Sequence, residues 1–151
     1  MPQSLSQIYL HIVFSTKHRY PFLEGGDVDD ELYAYIGASI KRLGGIPLSI
    51  NGVSDHIHIL TTFPRTITVA VFLQDIKANS SRWLKTKGEQ YQNFGWQDGY
   101  GVFSVSSSKK QVVANYIARQ KKHHKKTDFK REFLQFLEEY NVNYDDRYVW
   151  D

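Results

Sequence analysis

Ser54-Asp55-His56-Ile57-His58-Ile59-Leu60 alternates histidine with isoleucine, the period of two that a β-strand imposes by sending successive side chains to opposite faces. With Ile57 and Ile59 turned into a core, His56 and His58 share the other face and aim two imidazoles at one spot. Upstream, Leu48 and Ile50 begin another strand, and Val53-Ser54-Asp55 can turn it into this one, so the pair reads as a hairpin. Before it, Val28, Leu32, Tyr35, Ile36, Ile40 and Leu43 fall at helical spacing, and Gly44-Gly45 supplies a left-handed stop. The chain opens with a strand in which Ile8, Leu10, Ile12 and Phe14 alternate with Tyr9, His11, Val13 and Ser15. Downstream, Thr66 can cap a second helix striped by Val69, Phe72, Leu73, Ile76, Ser80, Trp83 and Leu84. Gly88 to Gly99 then reads as a loop and Tyr100 to Val105 as a fourth strand. The order βαββαβ predicts an α+β, ferredoxin-like antiparallel sheet with helices on one face. The two histidines then lie on the uncovered face.

Two further helices follow. Ser108-Lys109-Lys110-Gln111 has the form of a capping box, which predicts a third helix from Lys109 towards Lys122 or beyond. Tyr116 and Gln120, four residues apart, share one face of it. Thr127 or Asp128 can cap a fourth helix with Phe129, Phe133, Phe136, Leu137 and Tyr140 as its apolar side. The closing stretch, with Tyr144, Tyr148, Val149 and Trp150, is too aromatic for a free solvated tail. The whole of 1–151 is expected to form one domain, since 151 residues with 41% hydrophobic content suffice for one core.

The chain has no cysteine, which excludes disulfides and thiolate metal sites and leaves nitrogen and oxygen ligands. No apolar stretch has the length of a membrane span and none resembles a leader, so a soluble, cytoplasmic protein is expected, with no membrane partner. The net charge of +3 is segregated: residues 109–131 carry nine basic and one acidic side chain, whereas residues 132–151 carry one basic and six acidic. Such a basic block is an electrostatic footprint for a polyanion, most simply nucleic acid.

A phenol is a poor nucleophile at its usual pKa near 10, but a divalent ion polarises a phosphodiester and accepts developing charge. His56, His58 and the Gln120 carbonyl give three ligands and leave positions open for a phosphate oxygen, while Tyr116 sits one helical turn from Gln120. Imidazoles lean away from Mg²⁺ and cellular availability leans towards it, so the expected cofactor is Mg²⁺ or Mn²⁺.

These residues lie in an arrangement that resembles the HUH single-tyrosine transposases of bacterial insertion sequences and their relatives associated with repetitive extragenic palindromes. The matching stretches are His11 to Lys17 with Arg19, Ser54 to Leu60, Lys77-Ala78-Asn79-Ser80-Ser81, Trp96 to Tyr100, Asn115 to Gln120, and the closing Phe133-Leu134 to Tyr144-Asp145-Asp146-Arg147-Tyr148. The resemblance implies a transposase that cleaves and rejoins single-stranded DNA. In it His56, His58 and Gln120 bind the ion, and Tyr116 attacks the scissile phosphate to give a 5′-phosphotyrosine and a free 3′-hydroxyl. It also implies DNA hairpins near element ends as the ligand, and a homodimer in which the tyrosine can serve its own or the partner's site. Lys109, Lys110, Arg119, Lys121, Lys122, Lys125 and Lys126 are candidates for phosphate contacts, joined by Lys77 and Arg82 on the second helix. His11 is read as a structural residue. Two other readings compete: a non-catalytic ferredoxin-like module that binds single strands by stacking, and a metal-dependent hydrolase with water as nucleophile.

Overall fold

The central strand β1 (Tyr9–Ser15) is buried along its whole length, on both faces. Leu10, Ile12 and Phe14 enter one apolar cluster, whereas Tyr9 and Val13 enter clusters on the opposite side. The structure, a computed structural model, describes residues 2–123 and 127–151, with Lys122 and His123 described in their backbone only. β2 (Pro47–Val53), β3 (His56–Thr62) and β4 (Gly101–Val105) complete a sheet of order β2-β3-β1-β4. Every pairing is antiparallel. This is the ferredoxin-like order that βαββαβ predicts.

α1 (Asp27–Arg42) and α2 (Val69–Leu84) cover the face to which Ile57 and Ile59 point. Acidic side chains fill the first turn of α1 and Lys41 and Arg42 its last, each opposing the nearby end of the helix dipole. Gly44, at φ +99°, turns the chain out of α1, and the Gly45 amide donates back to the Ile40 carbonyl at 2.9 Å. The cap of α2 is Thr68 rather than Thr66: its hydroxyl accepts from the Val71 amide at 3.2 Å, while Ile67 is drawn into contact with the core. Residues 88–99 are irregular, but Tyr91, Phe94 and Trp96 bury their rings in the same core, and the Trp96 indole donates to Ser80 Oγ at 2.9 Å. The stretch is therefore a packed layer and not a solvated loop.

The other face is roofed, against the expectation that it lies bare. α3 (Lys110–Ala118) packs Ile117 with Tyr9, Leu60 and Val105, and α5 (Phe129–Glu139) packs Phe129, Phe133 and Leu137 with Val13 and Phe103. The cap of α5 is Asp128, whose Oδ1 accepts from the Arg131 amide at 2.9 Å. The predicted capping box of α3 does not form. Ser108 Oγ pairs with Ser106 Oγ at 3.2 Å, residues 107–109 make a 3₁₀ turn, and the helix starts one residue later, at Lys110. Nor is the helix continuous, since Arg119 leaves helical geometry (φ −99°, ψ 14°) before the short α4 (Gln120–His123). The closing residues strap α5 down: the Trp150 ring lies against Phe129 and Phe133, and the Asp151 carbonyl accepts from the Gly99 amide at 2.9 Å. Among the described residues no helix is long and apolar enough to cross a membrane.

Candidate metal centre

The site begins at the β2-β3 turn. The Thr16 amide donates to the Asp55 carbonyl (2.8 Å) and the Leu23 amide to that of Ser54 (3.0 Å), which pins the entry to β3. Gly52 faces Ile57 across the hairpin, where a Cβ would stand 2.5 Å from the His56 carbonyl oxygen; only glycine permits so close an approach. From this edge His56 and His58 project under α3 and α5, both with no exposed surface.

Each imidazole is held through Nδ1. His56 Nδ1 lies 2.7 Å from Asp55 Oδ1, and His58 Nδ1 lies 2.9 Å from His11 Nε2. The Nε2 atoms both face one oxygen of Glu132 on α5, at 3.3 Å from His56 and 2.8 Å from His58. The other Glu132 oxygen accepts a short hydrogen bond from the Tyr116 hydroxyl. One ligand atom from each of His56, His58 and Glu132 lies within 4.8 Å of the other two, and all three residues are buried. Gln120 is also fully buried: its Nε2 reaches the Tyr116 carbonyl at 3.5 Å, while its Oε1 has no hydrogen-bond partner among the described residues. Two imidazoles and a carboxylate converging in this way are a donor set suited to one divalent ion, and the buried Gln120 oxygen near Tyr116, left without a donor, is a further candidate.

The electrostatics follow from burial and from Glu132. Burial, with the neighbouring His58, pulls His11 down to about 3, so it stays neutral and can accept from His58. At His56 burial also favours the neutral form, but hydrogen bonds donated to the Asp55 and Glu132 carboxylates outweigh it and raise the pKa. Burial and the Glu132 carboxylate together raise the Tyr116 phenol far above its ordinary value. The outer partners at Nδ1 leave each Nε2 directed at the shared carboxylate, the arrangement that orients histidine ligands in metal centres.

His56, His58 and Tyr116 thus meet at Glu132, and Gln120 adjoins Tyr116, although the break at Arg119 places Tyr116 and Gln120 on separate helical segments. Lys77 does not lie free for a phosphate: its ammonium donates to the carbonyls of Gln97 (2.8 Å), Asp98 (3.2 Å) and Gly99 (2.6 Å) between the rings of Phe14 and Tyr100. Burial lowers its pKa to about 8, partly opposed by Asp98. Arg82, Lys109, Lys110, Arg119 and Lys121 are exposed. Lys110 rests on the Tyr9 ring, and Lys121 reaches Asn51 Oδ1 at 3.2 Å. Lys125, Lys126 and the side chain of Lys122 lie outside the described residues. Glu132 and the part played by His11 and Asp55 escape the sequence reading. One signal for Glu132 was present: it falls within the apolar stripe of Phe129, Phe133, Phe136 and Tyr140, where a carboxylate has to be paired.

Fold and donor set together define an α+β protein able to hold one metal ion beside a half-buried phenol. Residues 4–120 match the family model described as transposase, IS200-like, and the chain belongs to that family. A solved structure of a candidate transposase from Deinococcus radiodurans R1 is similar at 20% identity and TM-score 0.62, over 80% of this chain and 95% of that one. A REP-associated tyrosine transposase solved with a REP hairpin is similar at 12% identity and TM-score 0.53, over 79% and 72% of the two chains. At such identities the likeness is one of fold. No curated protein matches the chain. Glu132 and α5 lie beyond the span of the family match.

Proposed function

We propose that this protein cleaves and rejoins single-stranded DNA at insertion-sequence ends through a covalent link to Tyr116, with one Mg²⁺ or Mn²⁺ ion. The observation that carries the proposal is the double engagement of Glu132, which ties the Tyr116 phenol to the imidazole pair in a chain of the IS200-like transposase family. The ion would be held by Nε2 of His56 and His58 and by Glu132, with Gln120 Oε1 as a further donor, and would polarise a non-bridging phosphate oxygen. Tyr116 Oη forms a bond to phosphorus, the bond from phosphorus to the 3′ oxygen breaks, and that oxygen leaves as a hydroxyl. A later attack by a 3′-hydroxyl on the phosphotyrosine reverses these bond changes and rejoins strands. Before reaction, burial and the adjacent carboxylate keep the phenol protonated. Asp55 and His11 keep the two rings oriented.

Single-stranded DNA with a hairpin is the proposed ligand. A structural neighbour solved with such a hairpin supports this choice, as do exposed basic side chains at both ends of α3, Lys109 and Lys110 at one and Arg119 and Lys121 at the other. A homodimer remains the expected assembly, although Tyr116 already meets the ligand residues of its own chain. The test is incubation with hairpin-containing single-stranded DNA and Mg²⁺ or Mn²⁺, read on a denaturing gel. The expected adduct requires the ion and disappears in Tyr116→Phe. An adduct that survives in Tyr116→Phe removes the nucleophile, and tight DNA binding with no adduct and no ion dependence supports the non-catalytic module instead.

A further inference from the structure

Beside Tyr116 a groove of about 310 Å³ runs between α3 and α5. Val112 and Val113 form one wall, Phe136 and Tyr140 the other, and Gln135 and Glu139 stand at its mouth. Its floor is the site itself, reached at Tyr116 and Glu132. Val112 is 61% exposed and Tyr140 38% exposed, so an open apolar slot adjoins the proposed nucleophile. The volume is at the small end of the roughly 300–1,000 Å³ usual for ligand pockets, enough for one flat ring system and too little for a base pair. No lysine or arginine lines it, whereas two carboxylates do. Away from the floor, between the valines, Phe136 and the Glu139 carboxylate, a phosphate finds no cation, whereas an apolar ring edged with amine hydrogens is complementary to that lining.

We propose that this groove is a nucleobase pocket, taking the base next to the phosphate that Tyr116 attacks and preferring a base with an exocyclic amine over thymine. The proposal rests on the single-stranded DNA reading above. The base lies flat between Val112 and Phe136 and presents its amine to Glu139, the exposed carboxylate, since Glu132 already serves Tyr116 and His58. Such a pocket also gives a reason for acting on single strands, because a base can enter only when it is unpaired.

The intact protein is titrated with 2′-deoxyadenosine, 2′-deoxycytidine and thymidine while the methyl resonances of Val112 and Val113 are followed by NMR. Saturable shifts are expected, with thymidine about tenfold weaker, the discrimination typical of one good polar contact to a base edge. In Glu139→Gln, whose amide both donates and accepts, the three nucleosides become equivalent; Val112→Trp fills the groove and abolishes the shifts. In the adduct assay, an abasic spacer at one of the two positions flanking the cleavage site lowers the yield about tenfold, in keeping with loss of one stacked base. Methyl resonances that ignore all three nucleosides overturn the pocket, as does equal affinity for all three in the parent protein. Nucleoside binding without an adduct on any DNA keeps the pocket and removes the endonuclease. An adduct indifferent to both flanking bases, with no nucleoside binding, does the reverse.

Discussion

Replacing Glu132 by glutamine keeps the shape of the side chain and removes one charge from a buried position. The carboxylate faces His58 Nε2 at 2.8 Å and His56 Nε2 at 3.3 Å, and it accepts from Tyr116. Hydrogen bonds to charged groups contribute about 1.5–3 kcal/mol and neutral ones about 0.5–1.5, so the exchange costs about 1–1.5 kcal/mol at each imidazole. Relief of the carboxylate's desolvation works the other way and can make the loss of a buried ion pair neutral. Asp55 and Glu132 together raise the pKa of His56 despite its burial, so the Glu132 charge is one of the two that favour the imidazolium. The two losses sum to at most about 2–3 kcal/mol, which in a chain of this length lowers Tm by up to about 4–12 °C. Calorimetry with a chelator present at pH 6 measures it. Mn²⁺ titration of the same variant should show a loss of more than about 100-fold, since even outer partners of ligands are worth about 10–100-fold. A variant that melts no lower than the parent and keeps its Mn²⁺ affinity would refute Glu132 as the centre of this site.

Asp55→Asn and His11→Leu disturb only the outer contacts of the imidazoles, so ion affinity should fall about 10–100-fold with the donor set intact, and His11→Gln, which can still accept from His58, should restore most of it. Metal-free protein should be less stable at high pH: the folded pKa of His56 is raised, so its stabilisation is complete below about 6.5 and is lost as pH climbs through the raised value. Melting from pH 6.5 to 8.5 should show this slope with chelator, the neutral His11 acting in the opposite sense only below that range, and a slope of opposite sign would contradict the protonated imidazole. Gly101→Ala would place a Cβ 2.6 Å from the Phe133 ring, pushing α5 off the sheet; a loss of about 1–3 kcal/mol, with weaker Mn²⁺ binding because Glu132 moves too, is expected in denaturant titration.

The sheet was legible because alternation along β1 and β3 is a local property that the fold preserves residue by residue. His56 and His58 came with it, since their face follows from Ile57 and Ile59. What escaped was long-range. A helical stripe identifies the apolar side of α3 or α5 but not the sheet face that side will cover, so the histidines were read as uncovered although α5 lies over them. Glu132 meets His58 across 74 positions of chain, and no periodicity encodes that distance. Ser108 matched a capping pattern, yet Ser106 offered its hydroxyl a nearer partner. Lys77 reads as a phosphate contact because the sequence shows a cation on the second helix without showing the three carbonyls around it.

Complete burial of both imidazoles bears on the kinetics of the proposed ion. With no exposed surface on His56 or His58, an ion would reach the imidazoles only past Glu132, from the floor of the groove between α3 and α5. Exchange would then be timed by movement of the Glu132 side chain rather than by diffusion alone, and an ion once loaded would outlast many encounters with solvent chelators.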